Sequence, residues 1–213
     1  MKRAGGDVWG IVVAAGRGDR FGAPKQFCDL RGRRVVDRAL DPLGEVCDGI
    51  VVVVPEGFTW DGRGIPAVGA DSRSASVRAG LSLVPHEADI VIVHDAARPL
   101  ATRALFDAVI AAVRDGADAA IPATPVTDTL KRTEGTHVVA TIDRAHVVAV
   151  QTPQAFRART LRAAHASSHD ASDDAALVEA CGGTVVVVPG DERNMKITTP
   201  TDLVVAAALL EHS

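Results

Sequence analysis

The chain has 213 residues, 47% hydrophobic and 23% charged, with a formal net charge of -4. This length suits one domain with a sizeable core, and the acidic balance, the absence of tyrosine and the scarcity of aromatics exclude a nucleic-acid binder built on a basic face or on base stacking. No apolar run approaches the roughly 20 residues of a membrane span, and Met1-Lys2-Arg3 leads into no signal-like segment, so a cytoplasmic protein with no membrane or nucleic-acid partner is expected.

A β-branched run predicts the first strand at 8–14, and the glycine-rich stretch "AAGRGDRFGAPKQF" (14–27) follows it directly. A helical pattern covers 34–44, and Cys28, Cys47 and Cys181 are too scattered for a disulfide set or a zinc site. Next come a strand at 50–54 and a helix over 73–83, opened by Asp71 or Ser72. A strand at 89–93, a helix over 102–115 behind Thr102 and a strand at 119–123 continue the alternation.

Residues 127–146 carry no helical stripe and read as two short strands around "TEGT". Such an arm cannot cover its own Val138, Val139 and Ile142, so a second subunit is its natural partner. A strand at 147–150 then leads to helices over 155–168 and 173–181, the second with Ser172 as cap and Gly182-Gly183 as stop. A strand at 184–188 and a helix over 201–211, opened by Thr199, Pro200 and Asp202, complete the chain. Continuous runs such as "IVVVV" and "TVVVV" suit strands buried on both faces. The fold class is therefore α/β, doubly wound, with a mostly parallel sheet, helices on both faces and 1–213 as a single domain.

In such a sheet, ligands bind beyond the carboxyl ends of the strands, where the 14–27 loop lies. It is no P-loop, because Lys25 follows a proline, and a poor dinucleotide fingerprint, because Phe21 stands where the third glycine belongs. What remains is a glycine loop able to bring its amides to an anion, with Arg17, Arg20 and Lys25 beside it; the plainer reading is a solvated basic turn. "HDAARP" (94–99), "QTPQ" (151–154) and "NMKIT" (194–198) deliver further polar groups at other strand ends, and several ends converging on one rim look like a site.

Seven segments occur in order: the 14–27 loop, "SRSASVRAGL" (72–81), "HDAARP", "PVTDTLKR" (125–132), "DRAHVVAVQTPQAF" (143–156), "SDDAALVE" (172–179) and "NMKITTPTDL" (194–203). Together they resemble the 2-C-methyl-D-erythritol 4-phosphate cytidylyltransferase family of the non-mevalonate isoprenoid pathway. The resemblance implies transfer of a cytidylyl group from CTP to the polyol phosphate with release of pyrophosphate. It also implies a Rossmann-like nucleotidyltransferase fold, a Mg²⁺ requirement and a homodimer joined through the 127–146 arm.

By the same resemblance, Arg20, Lys25 and Lys196 are catalytic cations. Ala14, Ala15, Gly16, Gly18, Gly69, Asp71, Arg73 and Ser76 surround the nucleotide, and Asp95, Arg98, Thr129, Arg144, Thr152 and Lys196 face the polyol phosphate. Asp95 is also the Mg²⁺ ligand, and Thr129 and Arg144 on the arm serve the neighbouring subunit's site. The family pattern has a second glycine where this chain has Ala70, which would not tolerate a left-handed φ. Plainer roles stay open: a turn aspartate for Asp95, an ion-pair partner of Asp95 for Arg98, packing for the threonines and a helix-face serine for Ser76. His165 and His169 have zinc-like spacing with no third ligand, Asp202 reads as a capping acid and His94 as structural. A cytidylyltransferase for another polyol phosphate, such as ribitol 5-phosphate, and a catalytically silent nucleotide-binding subunit are the competing functions.

Overall fold

Runs of valine and isoleucine with no polar face suit the inside of a sheet covered on both sides; those at 50–54 and 90–93 are buried there, whereas the expected burial of 185–188 is not met, because that run forms an edge strand with Val187 56% exposed. The computed structural model describes residues 7–18, 21–166, 171 and 173–211. Its strands are β1 (Val8–Val13), β2 (Asp29–Leu30), β3 (Arg33–Arg34), β4 (Gly49–Val54), β5 (Ile65–Val68), β6 (Ile90–Asp95) and β7 (Ala119–Pro125). They continue with β8 (Leu130–Glu134), β9 (His137–Ile142), β10 (Val148–Val150), β11 (Gln154–Arg157) and β12 (Val185–Pro189). The helices are α1 (Val35–Val46), α2 (Arg73–Leu81), α3 (Arg103–Arg114), α4 (Ala158–Ala166), α5 (Asp174–Ala180) and α6 (Pro200–Glu211).

The main sheet has eight strands in the order β5-β4-β1-β6-β11-β7, with β10 and β12 also paired to β7. The pairs β1–β4, β1–β6, β4–β5 and β7–β12 are parallel, whereas β10 and β11 run antiparallel to their neighbours. The two-residue period of a strand sorts the core into layers. In β4, Ile50, Val52 and Val54 join Leu40 and Leu43 of α1 and Phe106 and Val109 of α3. Val51 and Val53 face the other way, into Val77 of α2, Leu161 of α4 and Val178 of α5. A third cluster of Leu30, Val35, Ile197 and Ala206 ties the segment before α6 to the β2–β3 hairpin.

Four further expectations need correction. The helix predicted over 155–168 starts only at Ala158, because residues 154–157 form β11, wedged between β6 and β7. A four-residue run next to a helix carries no period of its own, so only tertiary pairing reveals it. The strand near 147–150 is an antiparallel edge rather than a member of the parallel set. β5 and the β2–β3 hairpin were not foreseen: β5 is exposed at three of its four residues and breaks the buried-run pattern. Asp173, not Ser172, caps α5, its side chain accepting from the Ala176 amide; Ser172 lies outside the described residues.

Thr102 stands at the N-cap of α3 but its side chain makes no capping hydrogen bond, whereas the caps of α2 and α6 are as expected. Ser72 accepts from the Ala75 amide, and Asp202 accepts from the amides of Thr198 and Thr199 at the start of α6. The 127–146 arm is the β8–β9 hairpin, turning at Gly135 with φ 58°, and Val138, Val139 and Ile142 on it are exposed.

Candidate active site

Strand order reverses at β1, whose neighbours β4 and β6 lead to opposite edges of the sheet. Such a switch point leaves a crevice at the carboxyl ends of the strands. A cleft of about 640 Å³ opens there, between the loop after β1, the start of α2 and the end of β6. Of the predicted residues, Ala14, Ala15, Gly16, Lys25, Asp71, Arg73, Ser76, Asp95 and Lys196 line it. Arg17, which had no assigned role, also lines it, with its guanidinium 4.0 Å from Asp71 at the mouth.

The loop is folded by its own residues. Gly18 has φ +73°, and a side chain there would put Cβ 2.0 Å from the Ala23 carbonyl oxygen, so only glycine fits. Gly18 shapes the loop without lining the cleft. Gln26, 3% exposed, donates through Nε2 to the carbonyls of Ala14 at 2.7 Å and Gly16 at 2.9 Å, stapling the loop's start to the turn that carries Lys25. Phe27 stacks on Phe58 with centroids 3.9 Å apart and anchors the other end of that turn. Arg20 lies outside the described residues.

Across the cleft, Gly69 stands behind the wall, where an added Cβ would lie 2.2 Å from Ala15 Cβ. The Ser76 hydroxyl accepts from the Ala70 amide at 3.1 Å and donates to the Ala70 carbonyl at 3.3 Å, so this serine orders a cleft wall rather than decorating a helix face. Ala70 itself lines the cleft with ordinary φ: among the described residues, Arg31 alone is a non-glycine with positive φ. The missing second glycine therefore costs nothing in backbone strain.

Asp95, the last residue of β6, is the electrostatic centre. Lys196 Nζ donates to its Oδ2 at 2.7 Å, and Arg73 Nε lies 3.5 Å from its Oδ1. Burial pushes its pKa up, but Lys196, Arg73 and Arg98 outweigh burial and hold the carboxyl well below the usual carboxylate range. Lys196 is placed by its neighbour Ile197, which is fully buried and whose amide donates to the Ala97 carbonyl at 2.8 Å.

Thr152 and Arg98 sit behind this carboxylate and not on the cleft wall. The Thr152 hydroxyl accepts from the Asp95 amide at 3.0 Å and meets His94 Nδ1 at 3.1 Å, so it sets the end of β6. Among the described residues, the cations paired with Asp95 are Lys196 and Arg73, not Arg98. Arg98 donates instead to the Asn194 carbonyl at 2.7 Å, and its buried Nε has no hydrogen-bond partner among them. His94 is fully buried, and desolvation lowers its pKa to about 4, so it is neutral at pH 7. Thr129 and Arg144 lie on the exposed arm, away from this chain's cleft.

Among the described residues, no three His, Cys, Asp or Glu side chains converge as a metal cage, and His165 instead bonds Asp174. The cleft offers two carboxylates, Asp95 and Asp71. That donor set fits Mg²⁺, which takes one or two carboxylates and fills its octahedron with phosphate oxygens and water.

The mostly parallel α/β sheet, the glycine loop at its switch point and a cation-lined cleft define a nucleotidyltransferase of Rossmann-like fold. Residues 8–212 match the family model of IspD, 2-C-methyl-D-erythritol 4-phosphate cytidylyltransferase. A protein of that description from Rhodococcus jostii is 44% identical over 97% of this chain and 96% of its own length, and one from Streptomyces avermitilis is 43% identical over 94% and 90%. The crystal structure of the Thermus thermophilus enzyme superposes with a TM-score of 0.85 at 36% identity, covering 96% of this chain and 99% of that one. The chain belongs to the 2-C-methyl-D-erythritol 4-phosphate cytidylyltransferase family.

Proposed function

We propose that this protein transfers the cytidylyl group of CTP to 2-C-methyl-D-erythritol 4-phosphate, releasing pyrophosphate, as a cytoplasmic homodimer that uses Mg²⁺. The observation that carries the reading is the convergence of Lys25, Arg73, Lys196 and Asp95 on one cleft in a chain whose net charge is negative. Both substrates are anions, so the protein's task is to bring two phosphates together and to stabilise the charge of an in-line displacement.

The cytosine and ribose fit the wall of small residues at Ala14, Ala15, Ala70 and Ser76, where backbone N–H and C=O groups can tell the 4-amino group of cytosine from the 4-oxo group of uracil. Lys25 gives the loop's compact point charge to the phosphates, and Arg20 is its partner on the same loop. Lys196, held by Asp95, neutralises charge between donor and acceptor. When bound, Mg²⁺ supplies Lewis-acid neutralisation of phosphate charge, and Asp95 would hold it. Arg98 and Thr152 act on the acceptor by fixing Asp95 and the 194–196 segment. Thr129 and Arg144 reach the acceptor from the partner subunit, which also covers the exposed Val138, Val139 and Ile142.

A ribitol 5-phosphate enzyme or a silent nucleotide binder is disfavoured by the family match across almost the whole chain. The dimer predicts a solution mass near 44 kDa, twice the 22.1 kDa chain; a 22 kDa species at micromolar concentration would contradict it.

A further inference from the structure

A buried run of charge leads from the cleft wall into the helical layer behind it and reaches two residues that the reaction above does not use. Arg73 Nη1 lies 2.6 Å from Asp174 Oδ2, while its Nε lies 3.5 Å from Asp95 Oδ1. Asp174, in the first turn of α5, has a side chain 0% exposed, and its other oxygen takes a hydrogen bond from His165 Nε2 at 2.9 Å. His165 comes from α4, and its side chain is 2% exposed. The run therefore spans four elements: α4, α5, α2 and the end of β6.

The chemistry of this run is determinate. A carboxylate only accepts hydrogen bonds, so the shared proton sits on His165 Nε2. Nδ1 of the same ring is buried without a partner among the described residues. Two cations (Arg73 and Lys196) face the two carboxylates (Asp95 and Asp174). A fully buried carboxylate is tolerated only when paired and hydrogen-bonded. Among the described residues, Asp174 has one partner on each oxygen, and loss of either leaves that buried oxygen unpaired.

Arg73 is the group that this arrangement immobilises. Its planar guanidinium is gripped by Asp174 and faced by Asp95, and a fork fixed in this way keeps its further donors in one orientation. Arg73 also lines the nucleotide cleft. Without Asp174, it would be drawn to Asp95 alone and compete there with Lys196.

We infer that His165 and Asp174 are positioning residues for the cytidylyl transfer: His165 orients Asp174, Asp174 holds Arg73, and Arg73 stays set against Asp95 for the transition state. This rests on the reaction proposed above. Asp174→Asn removes a negative charge behind the cleft, so CTP binding should persist while turnover falls. We expect about a 100-fold loss in kcat with KM for CTP changed less than about threefold. His165→Leu, which has no donor, lowers kcat about tenfold, whereas His165→Gln, which can present an N–H to Asp174, recovers most of it.

A double-mutant cycle distinguishes positioning from plain packing. In an Arg73→Gln background, His165→Leu should cost less than about twofold in kcat, because the group it acts through is already gone. An undiminished tenfold loss in that background, or no recovery in His165→Gln, would overturn the inference. A second readout does not depend on turnover: the Arg73 Nε–H proton should exchange at least about tenfold faster with water in His165→Leu than in wild type. Equal exchange in the two would also overturn it. A wild type that releases no pyrophosphate would sink the reaction proposed above, while the exchange measurement would still decide the clamp.

Discussion

Replacing Lys196 by methionine keeps an unbranched stem and deletes the ammonium that donates to Asp95 Oδ2 at 2.7 Å. Two unit charges about 4 Å apart interact by about 4 kcal/mol at an effective dielectric near 20. The Lys196 side chain is 42% exposed, so water screens part of that, and Asp95 keeps Arg73 as a second cation. The net loss should be about 1–3 kcal/mol, close to the worth of one hydrogen bond to a charged group. The same ammonium counted against the phosphates of the transition state gives a fall in kcat/KM for CTP of about 5- to 150-fold. Stability should change with a definite sign in pH. Asp95 titrates below its unfolded value, so it contributes stability that is fully present above about pH 4 and is lost as pH falls through the folded value. Lys196→Met shrinks that depression. Urea melts should therefore show the variant weaker at pH 7, with the gap to wild type closing below about pH 4. Pyrophosphate release gives the rate, and a variant with wild-type kcat/KM and a gap that does not depend on pH would refute the electrostatic role given to this pair.

Three further outcomes are expected. Lys25→Ala should lower kcat far more than it weakens CTP binding measured by calorimetry, because its charge counts most in the transition state; equal losses would make it a ground-state binder only. Gly18→Ala forces a left-handed alanine, at about 1–2 kcal/mol, and a backbone clash that the loop relieves only by opening. KM for CTP should rise about tenfold or more while Tm drops by only a few degrees, and an unchanged KM would contradict the loop's role. His94 is held neutral with a pKa of about 4 against 6.5, so the unfolded chain gains a proton before the folded one as pH falls. Stability should drop by about 3 kcal/mol between about pH 6.5 and pH 4, and a flat profile in urea melts would contradict its burial as a neutral ring.

Much of the fold was legible because its cause is local. Strands such as 50–54 are uniformly apolar, and their neighbours carry caps at Ser72 and Asp202 that the structure uses as expected. What stayed hidden depends on partners distant in sequence. β11 is a strand only because β6 and β7 lie on either side of it, and β5 is too exposed to show a buried run. The site divides in the same way. The loop, Asp95, Arg73 and Lys196 were marked by motifs and meet in one cleft. The residues that hold them were not: Gln26 in its staple, Asn194 with Nδ2 donating to the Thr152 carbonyl, and Asp174 under Arg73 act through contacts that no spacing encodes. A glutamine beside the loop lysine and an acidic pair at 173–174 were the available hints. Thr129 and Arg144 flank the β8–β9 hairpin and do not line this chain's own cleft.

Release of pyrophosphate from CTP and Mg²⁺, measured with 2-C-methyl-D-erythritol 4-phosphate and with ribitol 5-phosphate in parallel, tests the central claim most directly. The account predicts rapid turnover with the methylerythritol phosphate and little with ribitol 5-phosphate. Turnover with ribitol 5-phosphate and none with methylerythritol phosphate would contradict it.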